Sequence, residues 1–186
     1  MQDRERTWID GVQNGDEEAF ERMFRAYYPR LCRFAAEYVD SSNRARDLVQ
    51  DVFLRIWERR REWTLRRSLK AYLYRAVRNR ALNAVRHRDT KQEAEADLEY
   101  RTDGRDRRTA ADAVHAGALS TEVEEAIAAL PERRRIAFLL HRRHGLTYKE
   151  IARAMGITPK TVENQIGRAL KALREDLAPV FTHELK

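Results

Sequence analysis

Leu146-Thr147-Tyr148-Lys149-Glu150-Ile151-Ala152-Arg153-Ala154-Met155-Gly156-Ile157-Thr158-Pro159-Lys160-Thr161-Val162-Glu163-Asn164-Gln165-Ile166 carries the signals of two short helices separated by a tight turn. Thr147 and Glu150 stand at the capping-box spacing, where each side chain satisfies an orphan backbone donor at a helix start. Ile151, Ala152 and Met155 make a short apolar face behind them. Gly156 supplies the left-handed stop, and Ile157 turns inward. Thr158 and Pro159 restart the chain as N-cap and first helical residue. Val162, Ile166, Ala169, Leu170 and Leu173 then recur at helical spacing as one buried stripe. The opposite face carries Lys160, Asn164, Arg168 and Lys171, with Thr161 beside them. A helix, a glycine turn and a second helix with a basic, amide-bearing face suit insertion into a DNA major groove. The competing reading is an ordinary helical hairpin with a solvated charged face.

Working outward, the chain of 186 residues has room for one ordinary domain or two small ones. A net charge of +7 and a pI near 9.8 favour a polyanionic partner. Cys32 is the sole cysteine, which excludes an internal disulfide and a cysteine-based zinc site. Between Leu31 and Phe34 it reads as a small buried residue. No apolar run is long enough for a membrane span, and the opening Asp3-Arg4-Glu5-Arg6 lacks the apolar centre of a secretory signal. A cytoplasmic protein is expected. Glycine and proline are few and strand-like alternation is hard to find, so the fold class is all-α.

Ala19, Phe20, Met23, Phe24, Tyr27, Leu31, Phe34, Ala35 and Tyr38 trace one helical face, with a kink expected at Pro29. Ala45, Leu48, Val49, Val52, Phe53, Ile56 and Trp57 trace a second. Leu69, Tyr72, Leu73, Ala76, Val77 and Val85 trace a third. Together they predict a small helical domain over residues 15–90. Over 91–118 acidic residues alternate with arginines and alanines, and large apolar residues nearly vanish. That composition predicts a flexible linker, with room for a short acidic helix around 92–100. A second domain is expected over 119–177, opening on another capping box at Thr121 and Glu124. It continues from Pro131 into a helix with Ile136, Ala137, Leu139 and Leu140, ahead of the helix-turn-helix.

The segment from Arg66 to Arg88 holds Arg66, Arg67, Lys70, Arg75, Arg78, Arg80, Arg86 and Arg88 and no acid. Trp63, Tyr72, Tyr74, Asn79 and Asn83 are interleaved with them or stand just before. Basic groups hold phosphates, aromatic rings stack on unpaired bases and amides bond to base edges. The set suits single-stranded or opening DNA; the alternative is a solvated basic face with Tyr72 in the core. The polar face of 44–60 (Arg44, Asp47, Gln50, Asp51, Arg55, Glu58) mixes both signs around a central Gln. That is poor for DNA and suited either to a protein partner or simply to water.

Several of these segments resemble a known family. Ala45-Arg46-Asp47-Leu48-Val49-Gln50-Asp51-Val52-Phe53-Leu54-Arg55-Ile56-Trp57 resembles the core-polymerase-binding segment, region 2.2, of bacterial sigma factors. Ala71-Tyr72-Leu73-Tyr74-Arg75-Ala76-Val77-Arg78-Asn79 is similar to the following segment, which melts and reads the −10 promoter element. Leu130-Pro131-Glu132 through Arg135, Tyr148-Lys149-Glu150-Ile151-Ala152 and Thr161-Val162-Glu163 resemble region 4, which reads the −35 element. Two such domains and no others resemble the extracytoplasmic-function (ECF) group of the sigma-70 family. Lys160 before Thr161, and Glu163, Asn164 and Gln165 after Val162, are similar to Bacteroidetes-type members paired with membrane anti-sigma factors.

The resemblance implies a protein that binds core RNA polymerase through Asp47, Gln50, Asp51 and Arg55. It implies contact with melted −10 DNA by Trp63, Arg66, Arg67, Tyr72, Tyr74, Arg75, Arg78, Asn79, Asn83 and Arg86. Lys160, Thr161, Glu163, Asn164, Gln165, Arg168 and Lys171 would face or flank duplex −35 DNA, with Arg168 and Lys171 on phosphates. Glu163 would accept from a cytosine amine or pair with a neighbouring cation. A membrane-bound anti-sigma factor is the implied inhibitor. No small-molecule substrate or cofactor is expected. His87, His115, His141, His144 and His183 are scattered without metal-ligand spacing, and no catalytic constellation stands out. The rival readings are a helix-turn-helix regulator that binds a palindromic site by itself and, from another class, a protein-binding adaptor; an enzyme is the most distant.

Overall fold

The computed structural model describes residues 2–39, 41–63, 65, 68–95 and 118–183, and side chains over 4–39, 41–63, 65, 68–86 and 121–178. The described elements are eight helices, with no strand among them. The chain divides into two compact units, Met1–Thr109 and Ala110–Lys186.

The first unit begins with α1 (Gln2–Gln13), ahead of the boundary expected at residue 15. Trp8, Ile9 and Val12 of α1 are buried, and Tyr27 donates to Glu5 Oε1 at 2.5 Å. The sequence pattern concealed α1 because its three large apolar residues are diluted by charge. Gly11 lets it approach α2 (Glu17–Ala35) closely: a Cβ at residue 11 would stand 2.5 Å from that of Ala19. Gly15, at φ +83°, turns the chain between them, and Asp16 caps α2 by accepting from the backbone of Glu18 and Ala19. Along α2 the side chains of Ala19, Met23, Tyr27, Leu31, Phe34 and Ala35 are buried. Pro29 lies inside the helix on its exposed side. Cys32 is half-buried rather than buried.

The amphipathic stripe expected over 45–57 becomes α3 (Ser42–Glu58), with Ala45, Leu48, Val49, Val52, Phe53 and Ile56 buried. Phe53 meets the rings of Phe20 and Phe24, with centroids 6.1 and 4.8 Å away. α4 (Leu69–Glu95) packs on α2 and α3 and continues into the start of the expected linker. The rest of that linker, over 96–117, lies outside the described residues.

The second unit contains α5 (Ala118–Ala129), α6 (Glu132–Arg142), α7 (Tyr148–Met155) and α8 (Pro159–His183). Two expectations are corrected here. α5 starts before Thr121, so Thr121 is not its N-cap, and Glu124 instead pairs with Arg143 at the end of α6. Leu170 is 46% exposed, whereas Val162, Ile166, Ala169 and Leu173 are buried as the stripe predicts. Residue 170 sits one position round from Ala169 and misses the core-facing arc. In α6 all of Ile136, Ala137, Phe138, Leu139 and Leu140 are buried. Five consecutive positions exceed one helical turn, so α6 is enclosed by α5, α7 and α8. Ile127, Leu130, Phe138, Leu139, Ala169 and Leu173 form one apolar cluster.

Candidate nucleic-acid interfaces

In the first unit α3 and α4 diverge around a cleft of about 520 Å³. Its floor is apolar, from Val52, Ile56 and Ala76. Its walls carry Arg55, Arg59 and Arg80, a single carboxylate from Glu62, the amides Asn79 and Asn83, and the rings of Trp63 and Tyr72. On α4 residues 72, 76, 79, 80 and 83 follow one another at helical spacing, which is why they share this wall. Arg75 and Arg86 are exposed and fall on the adjoining strip of the helix. Arg78 is half-buried.

The two tyrosines of α4 are two positions apart and so point to opposite sides of the helix. Tyr72 packs against Trp63 in the cleft, ring centroids 5.7 Å apart. Tyr74 is wholly buried against Phe34 at 5.0 Å, and burial pushes its phenol well above its ordinary pKa. The expectation that Tyr74 contacts DNA is therefore corrected: a ring with no exposed face cannot stack on a base. The alternative that put Tyr72 in the core is corrected with it, since Tyr72 is half-buried at the cleft. Trp63 is fixed from behind, its backbone carbonyl accepting from Gln13 Nε2 at 2.5 Å. Its indole Nε1 is buried with no acceptor among the described residues. Arg66 and Arg67 lie outside the described residues.

The outer face of α3 presents Asp47, Gln50 and Leu54, all exposed; Leu54 is 53% exposed, a large apolar group set among polar ones. Gln50 Nε2 points to Tyr28 Oη at 3.5 Å. Asp51 and Arg55 lie further round. Asp51 is bound by Arg80 of α4, Nη2 to Oδ2 2.5 Å, and Arg55 lines the cleft. Of the four residues expected to make one partner face, Asp47 and Gln50 lie on it, Asp51 sits at its edge against Arg80, and Arg55 turns to the cleft. Sequence reasoning did not place Arg59, Arg80 and Glu62 together on this cleft. Arg80 was visible in the basic run, but only the position of α3 shows which way it faces.

The second unit builds its candidate face on the start of α8. Thr147 and Glu150 form the expected capping box, with Thr147 N donating to Glu150 Oε2 at 2.9 Å and Glu150 N to Thr147 Oγ1 at 3.3 Å. Gly156 closes α7 at φ 69°, ψ 36°. Thr158 Oγ1 accepts from the Thr161 backbone at 3.1 Å and exchanges a hydrogen bond with the Thr161 hydroxyl at 2.8 Å. These local bonds set the angle at which α8 leaves the turn. Lys160, Glu163, Asn164, Arg168 and Lys171 are exposed, with Thr161 and Gln165 half-buried. Glu163 accepts from Lys160 at 2.9 Å, the second of the two roles expected for it, and Lys171 lies 3.8 Å from Glu175. Asn164 and Arg168 have no hydrogen-bond or ion-pair partner among the described residues, which leaves an amide and a guanidinium open on one face. No group of side chains suited to a metal occurs among the described residues. No described helix is long and apolar enough to cross a membrane.

Residues 23–90 match the family model of Sigma-70 region 2, and residues 120–173 that of Sigma-70, region 4. The RNA polymerase sigma-H factor of Pseudomonas aeruginosa is 26% identical over 187 residues, spanning 97% of each chain. The ECF RNA polymerase sigma factor SigW of Bacillus subtilis is 24% identical over 176 residues, spanning 91% of this chain and 94% of its own. Among solved structures, the sigma factor RpoE in complex with the anti-sigma factor NepR from Bartonella quintana shares the fold at TM-score 0.67, with 23% identity over 86% of this chain and 96% of that one. CnrH in complex with the cytosolic domain of CnrY does so at TM-score 0.67, with 20% identity over 95% of this chain and 98% of that one.

Proposed function

Because the chain belongs to the sigma-70 family, within its ECF group of RNA polymerase sigma factors, we propose that its two units divide promoter recognition between opened and duplex DNA. The observation that carries this reading is the α3–α4 cleft, which combines guanidinium groups, two amides and a Trp63–Tyr72 ring pair around an apolar floor. Those groups answer the three parts of an unpaired nucleotide: phosphate, base edge and base face. Trp63, Tyr72, Asn79 and Asn83 are the proposed −10 contacts, with Arg75, Arg78 and Arg86 holding backbone alongside.

For the −35 element the proposed reader is the face of α8. Asn164 and Gln165 are suited to base edges in a major groove, and Lys160, Thr161 and Glu163 flank them. Arg168 and Lys171 are suited to phosphates. Asp47, Gln50 and Leu54, with Asp51 beside them, form the proposed contact with core polymerase. An exposed leucine ringed by polar groups is the anatomy of a protein interface, apolar at the centre and polar at the rim. The protein supplies recognition in transcription initiation, and phosphodiester chemistry falls to the polymerase.

An anti-sigma factor is the proposed inhibitor. The RpoE structure is of a complex with the anti-sigma factor NepR, and the CnrH structure is of a complex with the cytosolic domain of CnrY. That second partner supports an inhibitor anchored in the membrane and a cytoplasmic site of action for this chain. Kinship with Bacteroidetes-type members rests on Lys160, Glu163, Asn164 and Gln165. Run-off transcription with purified core polymerase tests the whole reading: promoter-specific transcripts are expected only when the protein is added. Tight binding to a palindromic duplex without polymerase, and no transcript, would favour the rival regulator.

A further inference from the structure

We propose that Asp51 holds Arg80 in reserve, so that engagement of α3 by the polymerase releases a phosphate-binding guanidinium into the α3–α4 cleft. This inference rests on the reading of α3 as the polymerase face and of the cleft as the site for unpaired DNA.

The two residues belong to different surfaces. Asp51 stands on α3 next to Gln50 and one turn beyond Asp47, whereas Arg80 lines the cleft beside Asn79 and Asn83. They meet across the helix pair, with Nη2 and Oδ2 2.5 Å apart and side chains 35% and 45% exposed. Arg55 and Arg59 also line the cleft, and neither has a carboxylate partner among the described residues. Arg80 is therefore the cleft cation whose charge the protein itself cancels.

A carboxylate and a phosphate compete for the same donors, because the planar guanidinium fork fits either one. An ion pair this open to water is screened and readily broken, so it acts as a weak hold and not as a structural pillar. Drawing Asp51 into a protein interface leaves Arg80 without its acceptor, and a DNA phosphate in the cleft then supplies one. Linkage makes the effect mutual: DNA that occupies Arg80 frees Asp51 for the polymerase by the same factor. The two states of the element are distinct, Arg80 on Asp51 or Arg80 on phosphate, as a coupling claim requires.

The test measures binding of the full-length protein, without polymerase, to a fluorescent single-stranded oligonucleotide. The oligonucleotide carries the non-template −10 segment of a promoter found active in run-off assays. Asp51→Asn should tighten binding about two- to fivefold, the strength of an exposed ion pair, and should steepen the log–log salt slope by about 0.7, one added phosphate contact. Asp51→Ser should do the same, which guards against an effect peculiar to the amide. In an Arg80→Gln background neither substitution should have any effect. In holoenzyme assembled at saturating core, the advantage of Asp51→Asn should disappear. An unchanged affinity, or an equal gain with and without Arg80, overturns the switch, because the substitution would then report net charge alone. If Asn79→Ala, Asn83→Ala and Arg80→Gln all leave oligonucleotide binding intact, the cleft reading itself falls and the switch with it.

Discussion

The ring of Tyr72 lies 5.7 Å from that of Trp63 and is tilted 51° to it, so the half-buried Tyr72 ring borders the cleft with the largely buried Trp63, 7% exposed, packed against it. In the proposed −10 contact a base would stack on Tyr72, with Trp63 backing that ring. Two residues on, Tyr74 is turned the opposite way and wedged against Phe34.

Substitutions at these neighbours should therefore separate cleanly. Tyr72→Ala should weaken binding to unpaired −10 DNA by about 1–3 kcal/mol, the usual loss for one base–aromatic stack, with a melting temperature near that of the parent. Tyr74→Ala should cost about 3–5 kcal/mol of stability through the cavity it leaves. Thermal unfolding and oligonucleotide titration of both variants check the pair. An unfolding loss at Tyr72 equal to that at Tyr74 would count against the cleft assignment.

Opening and duplex reading should also come apart. Asn164→Ala should impair recognition of −35 base pairs by roughly 1–3 kcal/mol if it forms a bidentate contact. Asn79→Ala should impair opening or −10 selectivity. Transcription from a normal promoter and from one with a pre-opened −10 bubble distinguishes them: the bubble should rescue Asn79→Ala and leave the Asn164→Ala defect in place. Equal rescue would sink the division of labour.

On the outer face of α3, Leu54→Ser together with Asp47→Ala and Gln50→Ala should weaken association with core polymerase more than tenfold, about 1.4 kcal/mol or more. Helical content should be retained, since all three side chains are exposed. Titration of labelled protein with core measures the effect, and an unchanged dissociation constant removes the assignment.

Gly156 offers a test confined to backbone conformation. No atom lies within 4 Å of a Cβ placed there, yet its φ is +69°. Gly156→Ala should therefore cost about 1–2 kcal/mol through left-handed strain alone, or roughly 4–8 °C per kcal/mol in a unit of this size. Thr147→Ala should cost about 1 kcal/mol through the lost cap. Calorimetry of the two variants gives both values.

What the sequence disclosed follows from the range of the interactions involved. The turn at Gly156 and the box at Thr147 are settled by residues within four positions of one another, and both were legible. The buried arcs of α2, α3 and α8 were legible too, because periodicity exposes them. The orientation of α4 was harder. Its wheel carries apolar groups on much of its circumference, so both Tyr72 and Tyr74 read as DNA contacts until the packing on α2 and α3 showed which side was core. Arg80 could not be assigned from its neighbours along the chain, since its partner Asp51 lies on another helix. α1 escaped because Trp8, Ile9 and Val12 are diluted by charge in a short helix, and the close approach at Gly11 that seats it cannot be read from the chain.

That close approach reaches further than the helix pair it joins. Position 11 tolerates a hydrogen atom and little more, because a methyl group there would meet Ala19 Cβ at 2.5 Å. Two residues later on the same rigid helix, Gln13 grips the carbonyl of Trp63. A single methyl group at residue 11 would thus work as a spacer under a lever. Lifting α1 from α2 would carry the Gln13 anchor with it and shift the indole that lines the α3–α4 cleft, fifty residues away along the chain. If the cleft holds an unpaired base as proposed, the placement of its tryptophan wall depends in part on the missing side chain of a glycine one helix away.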